Sequence, residues 1–301
     1  MRVIEQKIVG KRSEIACEDR IVVTKDFIAV IDGSTSKSSR GKLKTGESSG
    51  QFAARAVAEI IKGADPKIRL ENFCKYVSEA LYNMTLQNIE NVDYSVLKNF
   101  PEERPCCSAI IFSNFWREIW MIGDCHGLIL DSQTNCKKAK YISNPKPYES
   151  SLAKKRSDFL NMALEEGVKT NGEELRTYSV QEIRKHDIGR EHILPDLLEA
   201  MKGENIEYAV IDGFPIPLDK VKRYGNLVSD CTELVFATDG YPQLFPTLEE
   251  TETYLQNYLK SDPLFIKKHK ETKCWMEGTE SFDDRTYLRF TTYCLNKWTI
   301  Y

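Results

Sequence analysis

The sequence predicts an α+β layered domain, with antiparallel strand groups and pairs of helices between them. Two observations predict it. Strand-type runs come in clusters, and helical periodicity comes in pairs, so the strict strand–helix alternation of a doubly wound parallel sheet is missing. Three apolar runs also meet carboxylates at their ends: Phe27-Ile-Ala-Val-Ile-Asp32-Gly33, Leu234-Val-Phe-Ala-Thr-Asp239-Gly240, and Asp283-Asp284 just ahead of Thr286-Tyr-Leu-Arg-Phe290. A buried strand that ends on a carboxylate carries an anion to a sheet edge. Three such ends in one place would repel one another unless a cation lay between them. The chain therefore reads first as a hard-metal site built on sheet edges.

The elements follow in order. Residues 21–23 and 27–31 are β-branched runs around the polar Thr24-Lys25-Asp26, which predicts a hairpin. Residues 34–49, rich in Ser, Gly and Lys, predict a loop. Phe52, Ala53, Ala56, Val57, Ile60 and Ile61 recur at helical spacing up to Gly63 and Pro66. A second helix carries Leu70, Phe73, Val77, Leu81 and Met84 on one face. Residues 108–112, 118–122 and 127–130 predict a meander. A helix over 152–165 ends at Gly167, and the polar stretch 170–203 reads as partly helical. The last third predicts strands at 208–211, 233–237 and 286–291, with a helix over 248–259. No internal repeat is present and no linker divides the chain, so 1–301 reads as a single domain.

Composition narrows the class. The chain has 301 residues and is 41% hydrophobic, enough for a real core. Its 45 acidic and 42 basic residues give a net charge of −3, which argues against a general nucleic-acid binder. Basic clusters such as Lys154-Lys155-Arg156 read as solvated faces. Nine cysteines without a C-x-x-C spacing are poor material for zinc or a disulfide framework. Free thiols, no signal-peptide core and no spanning apolar stretch lead us to expect a cytoplasmic protein without a membrane segment.

The chemistry-bearing residues are oxygen donors. Asp32-Gly33 and Asp239-Gly240 repeat one device, in which glycine lets the backbone turn and leaves its carbonyl open to a cation. Asp283, Asp284, Asp124 and Glu18 add carboxylates. A set without His or Cys suits Mg²⁺ or Mn²⁺ better than Zn²⁺. An Asp-Gly pair by itself is a common turn; the order and strand context of several together carry the signal.

That joint pattern resembles the metal-dependent type-2C (PPM) serine/threonine phosphatases, as a divergent member of bacterial type. The motifs run in the family's order over most of the chain: Cys17-Glu18-Asp19-Arg20, Val30-Ile-Asp32-Gly33, Pro105-Cys-Cys-Ser-Ala-Ile-Ile111, Gly123-Asp124-Cys-His126, Asn144-Pro-Lys-Pro147 with Arg156, Phe236-Ala-Thr-Asp239-Gly240, and Asp283-Asp284-Arg-Thr286. The resemblance implies a four-layer αββα sandwich with a flap around 145–203. It implies two Mg²⁺ or Mn²⁺ ions, with a third in some members. Asp32 would bridge two metals, helped by the Gly33 carbonyl. Asp239 and one of Asp283 or Asp284 would hold the second, with Asp283 favoured because it stands three residues before Thr286. Glu18 would act through water, and Asp124 matches the acid for a third ion. A metal-bridging hydroxide would then attack the phosphorus of a phosphoserine or phosphothreonine protein in signalling.

Departures from the family are visible. Its glycine-rich continuation is here Ser34-Thr35-Ser36, where Ser34 and Thr35 are candidates for water or phosphate contacts. Its phosphate-binding arginine is absent, with Arg12, Arg20, Lys37 or Arg40 as substitutes. These changes keep open a phosphatase-like binding or regulatory protein with weak turnover. A further alternative is an actin-like kinase, from the phosphate-loop look of Asp32-Gly-Ser-Thr-Ser36.

Overall fold

Two five-stranded antiparallel sheets stack face to face with helices on both outer sides. The computed structural model describes residues 1–34, 42–130, 139–169, 174–225 and 231–293. One sheet has the order β10 (Lys222–Tyr224), β7 (Glu118–Ile122), β6 (Cys106–Ser113), β3 (Phe27–Ser34) and β2 (Arg20–Val23). The other has the order β1 (Arg2–Val9), β12 (Arg285–Tyr293), β11 (Cys231–Ala237), β8 (His126–Leu130) and β9 (Ala139–Ile142).

Alternation along these strands builds the layers. Ile28 and Val30 of β3, Ile110 and Phe112 of β6, and Met121 of β7 face inward. They meet Leu234 and Phe236 of β11 and Leu288 and Phe290 of β12 between the sheets. Burying each such side chain stabilises the fold by about 1.5–3 kcal/mol. The alternate residues Ala29, Ile31, Ala109 and Ile111 face outward onto α1 (Ser49–Gly63) and α2 (Leu70–Asn88). Helix α1 starts cleanly because Ser48 and Gln51 form a reciprocal capping box. On the far side, Val235, Ala237 and Tyr287 pack against Leu255 and Leu259 of α7 (Leu248–Ser261). The four-layer αββα sandwich expected from the sequence is the observed fold.

Smaller elements complete it. β4 (Lys42–Leu43) pairs with β5 (Ile89–Glu90), and α3 (Tyr94–Asn99) leads toward β6. Helices α4 (Glu149–Glu165), α5 (Val180–Lys185) and α6 (Ile188–Met201) lie between β9 and β10 in sequence. They share an apolar cluster with Leu264, Ile266 and Cys274 from the segment after α7. Fully buried Arg156 of α4 ties them together. It pairs with Asp187 at 2.8 Å and donates to the carbonyls of Leu264 and Glu271. No helix among the described residues is long and apolar enough to cross a membrane.

Several sequence expectations need correction. The meander is split: β6 and β7 pair, but β8 crosses to the other sheet and pairs with β11. Residues 208–211 make only isolated bridges, because their apolar side chains pack under α1 and beside Tyr148 while Ile211 alone meets Cys107 across the gap. The loop over 34–49 contains β4, and Ser34 itself belongs to β3. Strands β1, β9 and β10 escape a hydrophobicity reading, since they lie at sheet edges and their residues are largely polar or part-exposed.

Candidate metal centre

The ends of four strands deliver carboxylates to one polar cavity of about 110 Å³. Asp32 stands near the end of β3, opposite Ser108 of β6. Asp239 follows β11, Asp283 precedes β12, and Asp124 lies in the β7–β8 link. All four line the cavity, as do Gly33 and Ser34. Thr35 lies outside the described residues, so the phosphate-loop segment through Ser36 is not described beyond Ser34.

Glycine serves here by absence of a side chain rather than by turning. Neither Gly33 nor Gly240 has a positive φ. A Cβ on Gly33 would sit 2.4 Å from the Gly50 carbonyl oxygen, and one on Gly240 would sit 2.0 Å from that of Asp284. Gly240 thus lets the turn after Asp239 lie against the Asp283-Asp284 backbone.

Electrostatics mark the cavity. Burial, then the neighbouring anions Asp239, Asp19 and Asp124, push Asp32 well above the usual carboxylate range. Burial and Asp284 push Asp19 up to about 7, against hydrogen bonds from Thr238 and Thr286. Asp19 Oδ1 is buried without a hydrogen-bond partner among the described residues. Burial would also raise Asp124, but the ammonium of Lys146, 2.7 Å from its Oδ2, outweighs that and holds it below its ordinary value. Asp32 and Asp239 have no ion-pair partner within 4.0 Å among the described residues.

Other expected residues are placed differently from one another. Asp284 does not line the cavity; it accepts from the backbone N–H groups of Lys11 (2.6 Å) and Glu18 (3.0 Å). Glu18 is buried and accepts a hydrogen bond from Ser48. His126 is buried: its Nε2 faces the Thr238 carbonyl at 3.0 Å, so it carries the proton, and its Nδ1 accepts from Tyr141 at 2.7 Å. It thereby holds the carbonyl of the residue before Asp239.

Of the four cations expected from sequence, the two that are described, Arg12 and Arg20, do not line the cavity. Arg12 is exposed and Arg20 is spent on the carbonyls of Cys17 and Asp19. Lys37 and Arg40 lie outside the described residues. Arg156 is a structural clamp. Instead Lys11, Lys146, Arg190 and Lys273 line the cavity. Lys146 lies inside the Pro145-Lys-Pro147 motif and was within reach of the sequence. Asp19 directly follows Glu18 in the same motif. Lys11 and Lys273 carry no local signal, because only the fold brings them here.

The donor atoms present are of the kind a hard divalent cation takes. Asp32, Asp239 and Gly33 offer oxygen only, the two carboxylates have no ion-pair partner within 4.0 Å among the described residues, and Asp19 lies in the same acidic cluster. No group of three or more His, Cys, Asp or Glu side chains among the described residues is drawn together closely enough to hold a metal as it stands.

No family model matches the chain, and no curated protein sequence does. Solved structures match along nearly its whole length. The PPM Ser-Thr phosphatase MsPP from Mycobacterium smegmatis is 10% identical, with 98% of this chain and 100% of that one covered at a TM-score of 0.44. The serine/threonine phosphatase Stp1 from Staphylococcus aureus is 12% identical, with 96% and 94% covered at 0.45. The catalytic domain of the serine/threonine protein phosphatase PstP, in complex with two manganese ions, is 10% identical, with 95% and 96% covered at 0.44.

Proposed function

We propose that the chain is a metal-dependent phosphatase acting on phosphoserine and phosphothreonine in proteins. The supporting observation is that Asp32 and Asp239, from separate strands of opposite sheets, face one cavity without an ion-pair partner among the described residues. Two anions brought together in that way await a cation.

Asp32, Asp239 and the Gly33 carbonyl would hold Mg²⁺ or Mn²⁺. A bound divalent ion supplies Lewis acidity toward water and a phosphoryl oxygen. The chain's own part is positioning and charge. Arg190 is on the cavity wall, its Nη1 donating to the Thr272 carbonyl at 3.1 Å, and would offer its remaining donors to phosphoryl oxygens. The segment 145–203 supplies Lys146, Tyr148, Glu149 and Arg190 to the wall and would act as the cover over the substrate.

The test is hydrolysis of p-nitrophenyl phosphate and of a phosphothreonine peptide in Mn²⁺, with Asp32→Asn and Asp239→Asn beside the wild type. Both variants should fall by about 100-fold or more, the scale on which lost transition-state electrostatics reads out. Wild-type rates in both would reject the proposal. A second reading, a phosphatase-like binding protein with weak turnover, is favoured by the lysines that cap Asp283. It predicts Mn²⁺ binding in calorimetry with no hydrolysis of either substrate.

A further inference from the structure

We infer that Lys11 and Lys273 take the place of a second metal ion, so that the centre holds one divalent cation, at Asp32 and Asp239, instead of two. This rests on the metal-dependent reading above and concerns how many cations that site accepts.

The geometry is specific. Asp283 Oδ1 lies 3.1 Å from Lys11 Nζ and accepts the Asp284 N–H at 3.0 Å. Its Oδ2 is ion-paired with Lys273 Nζ. Both oxygens of the carboxylate that the resemblance assigns to a second metal are therefore taken by ammonium groups. The side chain of Asp283 is only 10% exposed, and those of Lys11 and Lys273 are 26% and 32% exposed. A dication at Asp283 would have to displace both lysines or lie against them, and repulsion between like charges is weakly screened in such a place.

Lys11 cannot leave cheaply. Its ammonium also lies 3.7 Å from Glu18 Oε2 and 3.8 Å from Asp284 Oδ2, and its backbone N–H is held by Asp284 Oδ1. One ammonium thus serves three carboxylates, and withdrawing it would take a nearby cation from all three at once. Lys273 arrives on the segment pinned by Arg156, two residues beyond the Glu271 carbonyl that Arg156 holds. Lys146 does the same for Asp124, the acid matched to a third ion, at 2.7 Å. The chain pairs these two carboxylates with its own ammonium groups, whereas Asp32 and Asp239 have no cation within 4.0 Å among the described residues and feel Lys146 and Lys273 only from farther off.

The experiment is titration of the full chain with Mn²⁺ alone, by calorimetry and by electron paramagnetic resonance. The wild type should bind one Mn²⁺ per chain, with the hyperfine-resolved spectrum of an isolated ion. Lys11→Gln/Lys273→Gln should gain a second Mn²⁺ and a broadened, exchange-coupled spectrum, while Lys273→Arg should keep one. Two coupled ions in the wild type would overturn the inference and leave the metal-dependent reading standing. A folded double variant still at one ion would also overturn it. No binding by the wild type would remove the metal-dependent reading itself and this inference with it. If the double variant fails to fold, the wild-type stoichiometry and the single Lys273→Gln variant decide in the same way.

Discussion

Thr238 Oγ1 donates a hydrogen bond to Asp19 Oδ2 at 2.8 Å, joining positions 219 residues apart inside the protein. Thr238 Oγ1 also accepts the Thr286 N–H at 2.9 Å, and Thr286 Oγ1 donates to the same Asp19 oxygen at 2.8 Å. One buried carboxylate and two threonines thereby lock the chain ahead of β2 to the ends of β11 and β12, directly behind the cavity.

Replacing Thr238 by Val keeps the shape and removes the hydroxyl. Asp19 loses one of two donors and the Thr286 N–H loses its acceptor. The expected cost is about 1–3 kcal/mol. Urea unfolding of Thr238→Val beside Thr238→Ser checks it; equal midpoints for the two would show that the hydroxyl does not matter.

Arg156 should be among the costliest polar residues to remove. Arg156→Met leaves the buried Asp187 without its ion-pair partner, held only by the N–H groups of Arg190 and Cys274, and takes the Arg156 donor from two carbonyls, for a loss of about 3–5 kcal/mol. Arg156→Met combined with Asp187→Leu should cost less than Arg156→Met alone, because no charge is then stranded. A double-mutant cycle in guanidinium chloride reads both numbers, and strict additivity would contradict the pairing.

Stability should fall in acid through Glu252. Burial would raise its pKa, but hydrogen bonds from Arg285, Tyr241 and Lys7 prevail and bring it down to about 2. The folded value lies below the unfolded one of about 4.3, so the unfolded chain takes up the proton first as pH falls. The contribution is fully present above the unfolded pKa and is lost as pH drops toward the folded one. Glu252→Gln should lower stability at neutral pH and flatten its decline between about pH 5 and pH 2. Denaturation midpoints across that range test it, and parallel curves for variant and wild type would rule Glu252 out.

Gly240→Ala should destabilise by about 2 kcal/mol or more, because its Cβ would lie 2.0 Å from the Asp284 carbonyl oxygen and the backbone must move. Gly63→Ala at the end of α1 has nothing within 4 Å and is the control, neutral or slightly stabilising. Thermal melts compare the two, and a neutral Gly240→Ala would mean that the turn is not packed against Asp284.

The strand-ending carboxylates were legible because two local signals coincide there, an apolar run and an acidic stop. Asp32 and Asp239 could be chosen from that alone. The edge strands β1, β9 and β10 lacked such a signal. One side of an edge strand is unpaired and its residues are part-exposed, so alternation of apolar and polar side chains is weak. The meander was misassigned because hydrophobic period two is the same whichever sheet a strand joins; only β8's partner, β11, shows that it has crossed.

The sequence by itself determined most of the strands buried on both faces, though not that the equally apolar 208–211 stays outside the sheets, and it determined where their anions lie and that oxygen donors dominate the candidate site, since these are written in residue type and short-range period. Tertiary structure alone decided which cations answer those anions. Lys11 and Lys273 are 262 positions apart by number, and neither has neighbours that distinguish it from a surface lysine. They become partners of Asp283 only because β1 and β12 pair and the chain after α7 folds back over the strand ends, and charge pairing depends on distance in space, not along the chain.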